Sequence, residues 1–208
     1  MPSAGEILEG LANIAESWGA LAVLWHIYCG LLVAFALFGF PAHNRLVGAL
    51  LIPLLASVSV LAWVSGNPFN GTAFAALSIT LVALLWNLSR RAAERAHPAW
   101  RLLGFSLVAF GWAYPHFLEE APPSTYLYAA PLGLIPCPSL SLVVGVTIIF
   151  SGLDSRAWSL VLSFAALFYG VFGAVYLGVT IDWVLAGGGI GLLVLSIRRV
   201  VGRIARDV

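Results

Sequence analysis

The sequence contains no lysine; its ten basic residues are all arginine. Nine carboxylates accompany them, and charged residues make up 9% of the chain against 61% hydrophobic. That balance excludes a soluble domain and matches a chain built for the bilayer. The net charge is +1 and the arginines are spread over helix ends rather than one basic face, so there is no nucleic-acid signature. Two cysteines in apolar surroundings make no disulfide framework. Neither C-x-x-C nor H-x-x-x-H occurs, which removes the usual zinc spacings. No basic region opens the chain, so no cleaved secretory signal is expected. Internal repetition is also missing: the later apolar segments do not echo the first three in length or spacing, which leaves an inverted-repeat transporter without support.

What is present is a series of long apolar runs, each near the 18 or more residues that a hydrocarbon core of about 30 Å requires. Seven spans are predicted at roughly 18–40, 46–65, 71–88, 99–118, 131–152, 157–178 and 181–198. Prolines, glycines and asparagines punctuate the connections, among them Gly66-Asn67-Pro68, Pro98 and Pro122-Pro123. Before them, Ser3 and Glu6 have capping-box spacing, and Ile7, Leu8, Leu11 and Ile14 share one helical face. Residues 3–17 therefore read as a short amphipathic helix at the membrane surface. With seven spans, Arg45, Arg90, Arg91, Arg95, Arg101, Arg156, Arg198, Arg199, Arg203 and Arg206 all fall on one side. Glu6, Glu9, Glu16, Glu119, Glu120 and Asp182 fall on the other. The positive-inside rule makes the arginine side cytoplasmic, which puts the N-terminus outside and the C-terminus inside. The expected fold is all-α, in a bacterial inner membrane.

The one long interruption is residues 113–139, AYPHFLEEAPPSTYLYAAPLGLIPCPS. It gathers His116, Glu119, Glu120, Tyr126, Tyr128 and a cysteine between prolines, Pro136-Cys137-Pro138. A helix should not run unbroken through Pro136, which predicts an irregular entry to the fifth span. In the first span His26 and Cys29 are three apart on one face, with His26 about 12 Å below the outer surface at 1.5 Å per residue. Topology thus places His26, Cys29, His116, Glu119 and Cys137 in the outer half of the membrane. Ionisable groups at such depth face a bundle interior or a wet cavity. Thiolate and imidazole suit a soft or borderline metal ion, so Cys137, His116, His26 and Cys29 are the candidate metal ligands. The bland reading is a histidine bonded to a neighbouring helix and a cysteine acting as a small hydrophobe. A thiol–imidazole nucleophile, a Cys29–Cys137 disulfide and haem ligation by His26 and His116 are further readings of the same residues. Trp18, Trp183, Tyr126 and Tyr128 read as interfacial aromatics, His43 and His97 as solvated, and Asp182 as an acid favoured at a helix start.

The order Tyr114-Pro115, Ala130-Pro131, Pro136-Cys137-Pro138-Ser139, a span with Tyr169 and Gly173, then Leu177-Gly178 and Asp182 resembles an uncharacterised bacterial family of polytopic membrane proteins. The resemblance covers the second half of the chain most clearly. It implies that Cys137 and its prolines are a defining feature, and it carries no established activity. The function expected is binding or transport of a small solute or soft metal ion at an outward-facing site of Cys137, His116, Glu119 and Tyr114. An accessory subunit of a larger membrane complex, or a haem-binding redox protein, are the alternatives. The lipid bilayer, and a second copy or a complex subunit, are the expected partners.

Overall fold

A computed structural model describes residues 3–38, 42–118 and 122–207, with side chains through residue 198. The chain is all-helical; among the described residues the only β feature is an isolated antiparallel bridge between His43 and Ala92. Helix α1 covers Ala4–Ser17, α2 Gly19–Phe38, α3 Asn44–Val64, α4 Pro68–Leu85 and α5 Pro98–Trp112. A single turn, α6, covers Tyr126–Ala129, followed by α7 Pro136–Ile149, α8 Arg156–Val171 and α9 Trp183–Asp207.

Five segments are long and apolar enough to cross a membrane: Gly19–Phe38, Asn44–Val64, Pro68–Leu85, Arg156–Tyr176 and Thr180–Arg198. The other two expected spans are shorter as helices, 15 residues in α5 and 14 in α7. At 1.5 Å per residue these reach only about 21–23 Å, less than a hydrocarbon core of about 30 Å. Prolines set both limits. Pro115 disfavours helical geometry at Tyr114, so α5 stops at Trp112 instead of continuing to residue 118. Pro136 and Pro138 fall in the first turn of α7, where missing N–H groups cost nothing, so that helix starts at Pro136 rather than near 131. Ahead of it Gly133 takes a left-handed conformation (φ +74°) under the ring of Trp25.

Helix α7 is the axis of the bundle. From Pro136 to Ile149 every residue is buried except Cys137. Its closest neighbour is α5, and glycine makes that approach: a methyl on Gly104 would lie 2.7 Å from the carbonyl oxygen of Gly145, and one on Gly145 would lie 2.6 Å from that of Gly104. Ser141 Oγ donates to the Leu107 carbonyl at 2.9 Å across the same seam. Not every glycine in these helices makes a close approach. Gly170 lies against the backbone of Ala186, whereas Gly187 faces open space and its neighbours Gly188 and Gly189 meet Leu107 and Leu167. Large apolar side chains such as Leu24, Leu31, Ile79, Leu102 and Phe164 stand exposed on the outer helix faces, each above 60%.

The arginine-bearing ends are tied to one another. Ala93 N–H donates to Ala42 O at 2.7 Å, Asn44 N–H to Arg91 O at 3.2 Å, and Ala96 N–H to Ile149 O at 2.9 Å. Arg95 donates to the last carbonyls of α2, those of Ala36 (2.8 Å) and Leu37 (3.2 Å). Arg45 caps Trp86 O at 2.5 Å and its guanidinium lies 5.7 Å from the Trp86 ring. His43 and His97 are helix caps rather than merely solvated side chains, accepting from Leu46 N–H and Ala99 N–H.

At the opposite end, α1 has its capping box complete: Ser3 Oγ accepts from Glu6 N–H and Ser3 N–H donates to the Glu6 carboxylate. Those bonds hold the Glu6 carboxyl below the usual carboxylate range, the backbone bond first and the hydroxyl second. The apolar face of α1 does not rest on lipid alone. Leu11, Ile14 and Ala15 are buried in a cluster with Ala22, Leu61, Tyr114, Phe117, Leu118, Leu134 and Ile135.

Candidate functional site

Three broken stretches of backbone meet at this second end: 113–118 after α5, 130–135 before α7, and the run between α8 and α9. The last begins with a π-turn at Phe172–Tyr176, where Leu177 N–H reaches back five residues to Phe172 O at 3.1 Å. Such turns recur at functional sites because they rotate the following backbone by one residue. The chain then passes left-handed Gly178 and the 3₁₀ turn Thr180–Asp182 before entering α9.

Asp182 is the centre of what these stretches enclose. It is 1% exposed, not at a free helix start on the outer surface, and both its oxygens accept hydrogen bonds. Tyr114 Oη donates to Oδ1 at 2.8 Å, and Cys137 Sγ donates to Oδ2 at 3.1 Å. Three elements far apart in sequence thus share one carboxylate, and both side chains that donate to it are uncharged. Gly173 gives the carboxylate its space: a methyl there would fall 1.9 Å from Oδ2 and 2.8 Å from Cγ. Tyr114 is itself 1% exposed, edge-on to Phe110 at 5.4 Å and stacked on Phe117 at 6.3 Å. The Tyr169 hydroxyl of α8 donates to Asn70 Oδ1 at 3.1 Å, a separate buried polar tie to α4.

The residues singled out in the sequence are distributed unevenly around this centre. Cys137 and Tyr114 belong to it directly. His116 is adjacent, its ring 4.2 Å from Phe117 and 6.5 Å from Tyr114. Glu119 and Glu120 lie outside the described residues. His26 is committed elsewhere: Nδ1 meets Ala22 O at 2.8 Å, Nε2 meets Trp112 O at 2.9 Å, and the ring stands edge-on to Trp112. With both nitrogens against carbonyls, it locks α2 to the end of α5, and neither nitrogen faces Cys137 or His116. Cys29 is fully buried, and both cysteines are free thiols, so the Cys29–Cys137 disulfide is not formed. Among the described residues no three histidine, cysteine or carboxylate side chains come together to hold a metal ion, so the four-ligand set of Cys137, His116, His26 and Cys29 does not assemble. The thiol of Cys137 has Asp182, not an imidazole, as its hydrogen-bond acceptor.

Asp182, expected only as an acid favoured at a helix start, is a participant in the site. Its signal was an acid inside the Leu-Gly-x-x-x-Asp element at the mouth of an apolar span, where an ionisable group is by default a site candidate. Family models, curated proteins and solved structures offer no match to this chain.

Proposed function

We propose that the chain is a seven-helix protein of the bacterial inner membrane, N-terminus outside, that binds or moves a small solute at an outward-facing site built on Cys137, Asp182 and Tyr114. We further assign it to the uncharacterised family whose P-C-P element it shares. The orientation follows from the arginines: the ends joined by Arg45 and Arg95 carry the positive charge that stays cytoplasmic, and the Asp182 end carries none. Non-helical backbone at 113–118 and 130–135 makes up the depth that α5 and α7 lack. Irregular backbone at such depth is tolerated where it lines protein or a cavity, and broken helices are where polytopic proteins build solute sites.

The observation that carries this reading is the environment of the Cys137 sulfur. It is bonded to a buried carboxylate that has no basic partner among its donors, and Cys137 is the one residue of α7 that is half-buried rather than buried. A purely structural cysteine on a central helix has no need of either. The test is labelling of intact cells, in a Cys29→Ala background, with a membrane-impermeant thiol reagent. Cys137 should react from outside and lose that reactivity when the protein is tested in sealed inside-out vesicles. Labelling from the cytoplasmic face alone, or only after denaturation, would refute the proposal.

A further inference from the structure

We propose that Asp182 is a reversible proton-binding site reached from the outer side, and that its protonation releases the thiol of Cys137. The inference rests on the outward-facing reading above and names one ligand of that site, the proton.

The donor set is the first argument. Asp182 is 1% exposed, and the hydrogen bonds its two oxygens receive come from a phenol and a thiol. A carboxylate so buried is costly unless a cation or strong donors share its charge, and a thiol is a weak donor. The elements packed around it bring no arginine. The first turn of α7 carries Cys137, α8 and the π-turn carry Tyr169 and Tyr176, and the first turns of α9 are apolar. The 113–118 segment carries Tyr114 and His116, whose ring lies 6.5 Å from that of Tyr114. Helix α1 adds only Glu6, Glu9 and Glu16, all exposed. An asparagine of the same shape would accept the Tyr114 bond with no charge to bury, so hydrogen bonding alone does not call for an acid here. Ionisable groups at membrane depth with no counter-charge are where proton relays are built.

The unequal cover of the two oxygens is the second. Oδ1 is held by Tyr114, itself 1% exposed, whereas Oδ2 is held by Cys137, which is half-buried. A proton arriving from the outer side therefore meets Oδ2. An O–H bond forms there with a proton taken from outside water, the carboxylate becomes a neutral acid, and the net charge of the site goes from −1 to zero. The S–H bond stays intact. The new O–H donates to Sγ, which turns from donor to acceptor, and the thiol hydrogen rotates away. Tyr114 keeps its bond to Oδ1 and fixes the orientation of the carboxyl group in both states. Loss of the proton restores the S–H bond to Oδ2, so the thiol follows the charge on Asp182.

Infrared difference spectroscopy reads the proton directly, on the detergent-purified, reduced Cys29→Ala protein, in which Cys137 supplies the sole thiol. As pH falls from about 9 to about 4, a carboxylic-acid C=O band should appear. The S–H band of Cys137 should move with the same midpoint to the higher frequency of a weaker hydrogen bond. In Asp182→Asn that C=O band should be missing and the S–H band should stay still. Tyr114→Phe removes a donor to the charged form, so it should tighten proton binding roughly 10-fold and raise the midpoint by about one pH unit. Because a variant can fail to fold, the S–H band of the protein with Asp182 and Tyr114 intact is decisive by itself. If it holds one frequency across the range, the proton assignment is overturned, as it is if the titrating C=O band survives Asp182→Asn. If Cys137 is labelled from outside yet its S–H band does not titrate, the proton assignment falls and the outward-facing site stands. If Cys137 is never reached from outside, the site reading itself falls, and the outer route for the proton with it.

Discussion

Gly173→Ala tests the polar centre without touching any of the three groups that form it. The added methyl would lie 1.9 Å from Asp182 Oδ2, 2.8 Å from Cγ and 3.1 Å from Cβ. Rotating the carboxyl group relieves the first clash but not the others, because Cβ moves only with the backbone of the Thr180–Asp182 turn. The carboxylate must therefore retreat by more than 1 Å, which breaks at least one of its bonds to Cys137 and Tyr114. Forcing an extra methyl into a packed site costs typically 1–3 kcal/mol. Interhelical hydrogen bonds in membranes add about 0.6 kcal/mol each, up to about 1.7. The expected loss is about 3 kcal/mol in reversible unfolding in mixed detergent micelles. Gly187→Ala is the matched control, since that glycine faces open space in the same region. It should be neutral or stabilising by up to about 1 kcal/mol, from the better helix propensity of alanine. Cys137 should also react faster with maleimide in Gly173→Ala, having lost its acceptor. If Gly173→Ala unfolds with the wild-type midpoint and labels at the wild-type rate, the carboxylate is not where its hydrogen bonds put it, and the site argument fails.

Other perturbations reach different parts of the molecule. Gly104→Val places a branched side chain against the Gly145 carbonyl and should separate α5 from α7, with an unfolding loss above about 3 kcal/mol or failure to accumulate in the membrane. His26→Leu removes the ring contacts to Ala22 O and Trp112 O, and losing this tie between α2 and α5 should cost about 1–3 kcal/mol, in part restored by His26→Gln. The capping box gives a pH dependence whose sign follows from the lowered Glu6 pKa. A carboxyl depressed in the folded state stabilises above its unfolded pKa and loses that contribution as pH falls through the folded one. The first turn of α1 should therefore exchange its amide hydrogens faster in acid once intrinsic rates are corrected for. Glu6→Gln should abolish the pH dependence of that correction.

Much of the helical order was legible because long apolar runs and prolines are local signals. Pro98, Pro68 and Pro136 each open a helix at its first position, and the capping box of α1 formed as the Ser3–Glu6 spacing implies. The central place of Cys137 was legible too, since prolines on both sides mark a helix entry. The partners were not. Which helix faces which depends on the bundle, so the reading grouped His26, Cys29, His116 and Cys137 by depth alone. Depth proved insufficient: His26 turns to Trp112 O, and Cys137 turns to an aspartate 45 positions further on. The acid at residue 182 has a sufficient local reason in the helix dipole, and nothing nearby in sequence signals that Tyr114 and Cys137 converge on it. The end of α5 falls short of the apolar run for a plainer reason. Apolar character continues past Trp112, but the residue before Pro115 cannot continue the helix.

The burial of α7 everywhere but at Cys137 has a consequence for how the protein is made. Membrane helices ordinarily reach the lipid one by one and associate afterwards. A helix of 14 residues that opens with two prolines is a poor candidate for independent residence in lipid, and this one has no lipid-facing side in the finished bundle. It must pass from the insertion machinery directly onto a protein surface, and the glycine face of α5 is the one already waiting upstream. Biogenesis then turns on that single handover, so lesions at Gly104 or Gly145 should be seen first as chains degraded during synthesis, before any loss of the mature protein's activity.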